Sequence, residues 1–180
     1  FNYDLFTPED HPGLWIGPGF EMLDRVIRWS GEAGLLVVLD MHAAPCGQTG
    51  TNIDNSVGHP WLFEERECQD RTVEVWSRIA THRDEPAVLG YDLLNEPIPH
   101  FAGYERFYPA LEPLYRRLVA AIRAVEKALE VAGGAGFYRP LGLERLLREL
   151  PERVLAVVDE AYLEYVDVAD FASFQEVMTP

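Results

Sequence analysis

Lysine is almost missing from this chain. Of 15 basic residues only Lys127 is a lysine, set against 30 acidic ones, for a formal net charge of −15. An acidic balance this strong makes nucleic acid and anionic membrane surfaces poor partners, because both repel it. A neutral sugar polymer is compatible with the charge, as is almost any small solute. Long apolar runs are also missing: no stretch approaches the ~20 residues that a spanning helix needs. Cysteine is limited to Cys46 and Cys68. Two cysteines make neither a disulfide framework nor a metal quartet, and both are expected to act as small hydrophobes or free thiols. The His, Cys and carboxylate positions lack ligand spacing, so no metal and no cofactor is expected. No signal peptide precedes Phe1, and Phe1 is not Met. The chain therefore reads as processed, trimmed or fragmentary, and its compartment stays unknown.

What is present suffices for one substantial core or two small ones: 180 residues, 48% apolar. Residues 1–18 carry Pro8, Pro12, Gly13, Gly17 and Pro18 among aromatics and read as a loop. Tyr3 and Trp15 on it either stack on a substrate ring or pin the loop to the core. Phe20, Leu23, Ile27 and Trp29 recur near helical spacing over residues 20–33, and Gly34 supplies the stop. Leu35 to Leu39 is a continuous apolar run, as expected of a strand covered on both faces, and it ends in Asp40-Met41-His42. Residues 43–66 form a connection so long that it is expected to be either functional or disordered; Asn55 and Trp61 on it are candidate substrate contacts. Val73, Trp76, Ile79 and Ala80 share one face of a helix over 69–82, with Asp70 available as its cap. A second strand covers 87–96. A long helical pattern then runs from Tyr104 to about Leu129, with Pro109 and Pro113 marking a start or kink. Two strand–helix units in series argue for parallel strands joined by right-handed crossovers.

The second strand ends in Leu93-Leu94-Asn95-Glu96-Pro97. Pro97 cannot continue a ladder, so an amide and a carboxylate stand side by side at a strand's carboxyl end, where parallel α/β folds collect their chemistry. Together with Leu39-Asp40-Met41-His42 upstream and Pro86-Ala87-Val88-Leu89-Gly90 before it, this stretch resembles glycoside hydrolase family 5, the cellulase-like retaining glycosidases. The resemblance covers residues 1 to about 125. It implies an α/β fold, part of a (β/α)8 barrel. It also implies Glu96 as the catalytic acid/base, Asn95 on the sugar 2-hydroxyl, His42 lining the same site, and a carbohydrate partner. The family's seventh-strand Glu nucleophile finds no counterpart in the pattern.

Gly133-Gly134-Ala135-Gly136 interrupts the pattern, and residues 126–140 read as a junction. From about Leu141 to Phe174, and above all at Val158-Asp159-Glu160-Ala161-Tyr162, the chain resembles a short piece of histidinol-phosphate aminotransferase, a pyridoxal-phosphate enzyme. That class needs a Schiff-base Lys downstream of the Asp, and Lys127 lies upstream. The chain is therefore expected to be chimeric: residues 1–125 from a glycosidase barrel, and residues 141–180 an extra strand–helix unit. Three functions follow in order: a glycosidase weak or inactive for want of the nucleophile, a non-catalytic sugar-binding or structural protein, and an aminotransferase fragment without its Schiff-base Lys. If the tail strand joined the same sheet, Asp159 or Glu160 would end beside Glu96 as a second carboxylate. A partial barrel leaves sheet edges uncovered, so self-association is expected.

Overall fold

The computed structural model describes residues 1–54, 56–81, 87–98 and 101–131. In chain order it runs α1 (Gly17–Glu32), β1 (Val37–Asp40), α2 (Arg66–Thr81), β2 (Val88–Asp92) and α3 (Tyr108–Val131), with short 3-10 turns between them. The strands are parallel, in the register Val37↔Val88, Val38↔Gly90, Leu39↔Tyr91 and Asp40↔Asp92, with an irregularity between Val37 and Val38. A parallel pair needs a crossover, and α2 supplies it. The expected strand–helix order and parallel pairing are thus observed. Residues 1–3 extend the arrangement as a parallel bridge, Asn2 to Ala43, alongside the carboxyl end of β1.

Local chemistry accounts for most boundaries. Pro18 stands in the first turn of α1, where its missing N–H is no loss. Gly34 adopts φ +72°, and the N–H of Leu35 returns to the carbonyl of Ser30 at 2.8 Å, closing the helix. That closure corrects the first strand. Leu35 and Leu36 belong to the turn and are exposed, and pairing starts only at Val37. Gly19 faces the carbonyl of Leu5 so closely that a Cβ there would stand 1.9 Å from the oxygen.

The core lies between the sheet and the helices. From α1 come Leu23 and Ile27, from β1 Leu39, from α2 Val75, Trp76 and Ile79, and from α3 Leu111, Leu114, Leu118 and Ile122. These are largely the residues that helical periodicity singles out. Trp29 is an exception at 53% exposed, with Arg25 over its ring. Val38, on the opposite face of β1 from Leu39, is 52% exposed. Helices α2 and α3 are tied by Arg117, whose guanidinium hydrogen-bonds Asp70 and reaches Gln69 at 3.1 Å. Asp70 also accepts from Arg66 at 3.0 Å. It sits one turn inside α2 instead of capping it, because the helix begins at Arg66.

Cys46 and Cys68 form a disulfide, with Cα atoms 5.8 Å apart. This corrects the expectation of free thiols. The loop after β1 folds back onto the first turn of α2, a proximity that a separation of 22 residues does not announce.

Candidate functional site

The carboxyl ends of β1 and β2 lie side by side, and each carries part of the candidate site. The ladder continues one step past the strands: Met41 N–H donates to the Asp92 carbonyl at 3.1 Å, and Asn95 N–H to the Met41 carbonyl at 3.0 Å. His42 and Asn95 are thereby brought together as neighbours just past adjacent strand ends. Asn95 is half-buried, whereas His42 and Glu96 are exposed. His42 Nδ1 lies 3.5 Å from Asp40 Oδ2, within reach of an orienting interaction. Glu96 has φ +41°, a left-handed conformation unusual for a residue with a side chain and more so before proline. Pro97 behind it is buried.

Both strand ends are held by a residue that sequence reasoning passed over. Gln48, wholly buried, donates from Nε2 to the carbonyls of His42 (2.9 Å) and Asn95 (3.0 Å). Its Oε1 accepts the Ala44 N–H at 2.9 Å. The loop that carries Gln48 is in turn organised by buried Asp54, whose carboxylate accepts the N–H groups of Gln48, Thr49 and Ser56 and the hydroxyls of Thr49 (2.8 Å) and Ser56 (2.5 Å). Gly47 makes room for Ser56, since a Cβ at Gly47 would meet the hydroxyl at 1.8 Å. The only sequence signal for this network was the length of the 43–66 connection.

The remaining candidates are dispersed. Trp15 lies under Arg78 of α2, whose guanidinium stands 3.8 Å above its ring, and near Phe20. One face of its ring is therefore covered by protein, and the residue is half-buried. Trp61, 45% exposed, has the His59 ring tilted against it at 4.2 Å and lines a groove of about 520 Å³ with Tyr3, Asp4, Glu9 and Glu65. None of His42, Asn95 and Glu96 lines that groove. Asn55, Asp159 and Glu160 lie outside the described residues, as does the aminotransferase-like stretch. Among the described residues no group of three or more His, Cys, Asp or Glu side chains is arranged to hold a metal ion.

The arrangement offers an exposed carboxylate, an amide and an imidazole at one sheet edge. Such a set can donate a proton to a leaving oxygen and hydrogen-bond a polyhydroxylated ligand. Comparison with known proteins points the same way. The model of "Cellulase (glycosyl hydrolase family 5)" matches residues 4–138. The chain is 36% identical over 118 residues to a β-xylosidase of Phanerodontia chrysosporium, covering 62% of this chain and 25% of that protein. It is 27% identical over 168 residues to endoglucanase C of Acetivibrio thermocellus, covering 92% of this chain and 43% of that protein. A solved glycoside hydrolase superposes with a TM-score of 0.55 at 24% identity, over 69% of this chain and 37% of that one, and shares the fold. The chain thus spans from under a quarter to somewhat under half of the relatives it matches. The endoglucanase match takes in too much of the chain to stop at the 126–140 junction.

Proposed function

The chain belongs to glycosyl hydrolase family 5, the cellulase family, and from that premise we propose that it serves the hydrolysis of β-linked O-glycosidic bonds, with Glu96 as acid/base. The observation that carries the reading is the juxtaposition of His42 and Asn95–Glu96 at adjacent strand ends. In this role Glu96 protonates the glycosidic oxygen as the bond to the sugar breaks, then takes a proton from the water that releases the sugar. Asn95 hydrogen-bonds the hydroxyl next to the reacting carbon, and His42 lines the same face. The sheet supporting them is proposed to be part of a (β/α)8 barrel, built largely from residues 1–125.

Retention of configuration needs a nucleophilic carboxyl about 5–5.5 Å from the acid/base. The seventh-strand Glu that would supply it has no match in the sequence pattern, so weak turnover is proposed for these 180 residues by themselves. Asp159 or Glu160 is the proposed stand-in. For the tail, the breadth of the endoglucanase match favours a continuous glycosidase chain. The fusion reading, with residues 141–180 as a foreign strand–helix unit, rests on the Val158–Tyr162 run. Self-association is proposed through the sheet edges that a partial barrel leaves open.

The test is hydrolysis of an aryl β-glucoside, an aryl β-xyloside and a cellooligosaccharide by the wild type and Glu96→Gln, with sugar binding measured in parallel. Product from the wild type and a loss of 10²-fold or more in the variant supports the reading. Equal rates would remove Glu96 from the mechanism. Binding without turnover by the wild type supports the sugar-binding alternative.

A further inference from the structure

We infer that Gln48 is a positioning residue: it sets the orientation of Glu96 without itself reaching the substrate. The inference rests on the reading of Glu96 as acid/base, and the argument begins from hydrogen-bond capacity. A glutamine amide has two N–H donors and one carbonyl acceptor. In Gln48 both donors go to carbonyls, His42 on the β1 side and Asn95 on the β2 side, at 2.9 and 3.0 Å, and the acceptor takes the Ala44 N–H. Gln48 is 0% exposed, so no water competes for these bonds.

The Asn95 carbonyl lies in the same rigid peptide plane as the Glu96 N–H. Holding that oxygen fixes the plane, and with it one of the two bodies whose mutual rotation defines φ of Glu96. The Asn95 N–H is held as well, by the Met41 carbonyl. On the far side of Glu96 stands buried Pro97. A residue at φ +41° persists only where its surroundings over-determine it, and Gln48 is the side chain that does so from the β1 side. Its own position is fixed by Asp54, which accepts the Gln48 backbone N–H. A chain of hydrogen bonds therefore runs from a buried loop carboxylate to the peptide plane that aims the catalytic carboxylate. The shape of the site could be kept by methionine at position 48, but methionine has no donor for either carbonyl.

The experiment compares the full 180-residue chain with Gln48→Met by amide hydrogen exchange, and by hydrolysis of two aryl β-glucosides, one with a poor and one with a good leaving group. The expected result is local. Exchange of the Asn95 N–H rises roughly tenfold or more, while the amides of α1 keep their protection. With the poor leaving group, whose departure needs proton donation, kcat/KM falls by roughly tenfold or more, whereas kcat/KM for the good leaving group, which does not report the later base-assisted step, changes little. A uniform rise in exchange, or equal losses on both substrates, would make Gln48 a packing residue and overturn the inference. If Gln48→Met does not fold, exchange of the Gln48 side-chain amide protons in the wild type decides: protection supports the clamp, and exchange at the rate of a free amide sinks it. Should the wild type turn over neither substrate, it is the hydrolytic reading of these 180 residues that fails, for want of a nucleophile. The exchange measurements then judge Gln48 alone.

Discussion

The indole N–H of Trp76 donates to the carbonyl of Leu93 at 3.1 Å, across 17 residues. The strand end that carries Asn95 and Glu96 is thus gripped from the helix layer by α2, just as Gln48 grips it from the loop. Trp76 is wholly buried, between Phe1 at 5.5 Å and Tyr91 at 5.2 Å. Trp76→Phe removes volume and orphans the carbonyl, and should cost about 2–4 kcal/mol. Urea unfolding measures it, and a cost under about 0.5 kcal/mol would show that the site end of β2 does not depend on this bond.

Gly19 has no room for a side chain, because the obstacle is the backbone carbonyl of Leu5. Gly19→Ala therefore forces the 3-10 turn at Tyr3–Leu5 away from α1. Despite alanine's better helix propensity, the variant should be less stable by about 1–3 kcal/mol. A raised melting temperature would contradict the close approach.

Reduction of Cys46–Cys68 reopens a loop of 22-residue separation, for which chain entropy gives about 3 kcal/mol of stabilisation. The melting temperature should fall on adding a thiol reductant, and Cys46→Ala/Cys68→Ala should reproduce the fall. An unchanged transition in both would mean that the loop is held by the Asp54 network alone.

What burial Asp70 has pushes its carboxyl up, but hydrogen bonds from Arg117 and Arg66, together with their charges, outweigh this and bring the pKa below the ordinary 3.8. A carboxylate depressed on folding stabilises the protein above the unfolded value, and that contribution disappears as pH drops through the folded value. Asp70→Asn should thus lose under about 1 kcal/mol at pH 7, since the side chain is largely exposed and solvent screens the pair. The difference from wild type should shrink as pH falls below about 4. A difference that grows on acidification would reverse the assignment.

The helices and the parallel pair were legible because apolar spacing records which face is buried. Leu111, Leu114, Leu118 and Ile122 stand where periodicity puts them. The Asn95–Glu96–Pro97 stop was legible because proline ends a ladder for a chemical reason. Other features leave no periodic trace. Gln48 is one amide in a long loop, and its importance comes from two carbonyls 6 and 47 positions away. The disulfide depends on the fold-back of that loop onto α2. Trp15 looked available as a loop aromatic, yet Arg78 covers one face of its ring. Leu35 and Leu36 are as apolar as a strand, but the left-handed turn at Gly34 assigns them to the helix end.

The backbone at Glu96 has a consequence for how this molecule can change. A left-handed φ of +41° favours glycine there on conformational grounds, so Glu96→Gly should raise thermal endurance even as it deletes the carboxylate. Fold and chemistry pull this one position in opposite directions. A library of variants screened only for heat resistance would be drawn toward discarding Glu96, whereas one screened for turnover would keep it and accept a less durable protein.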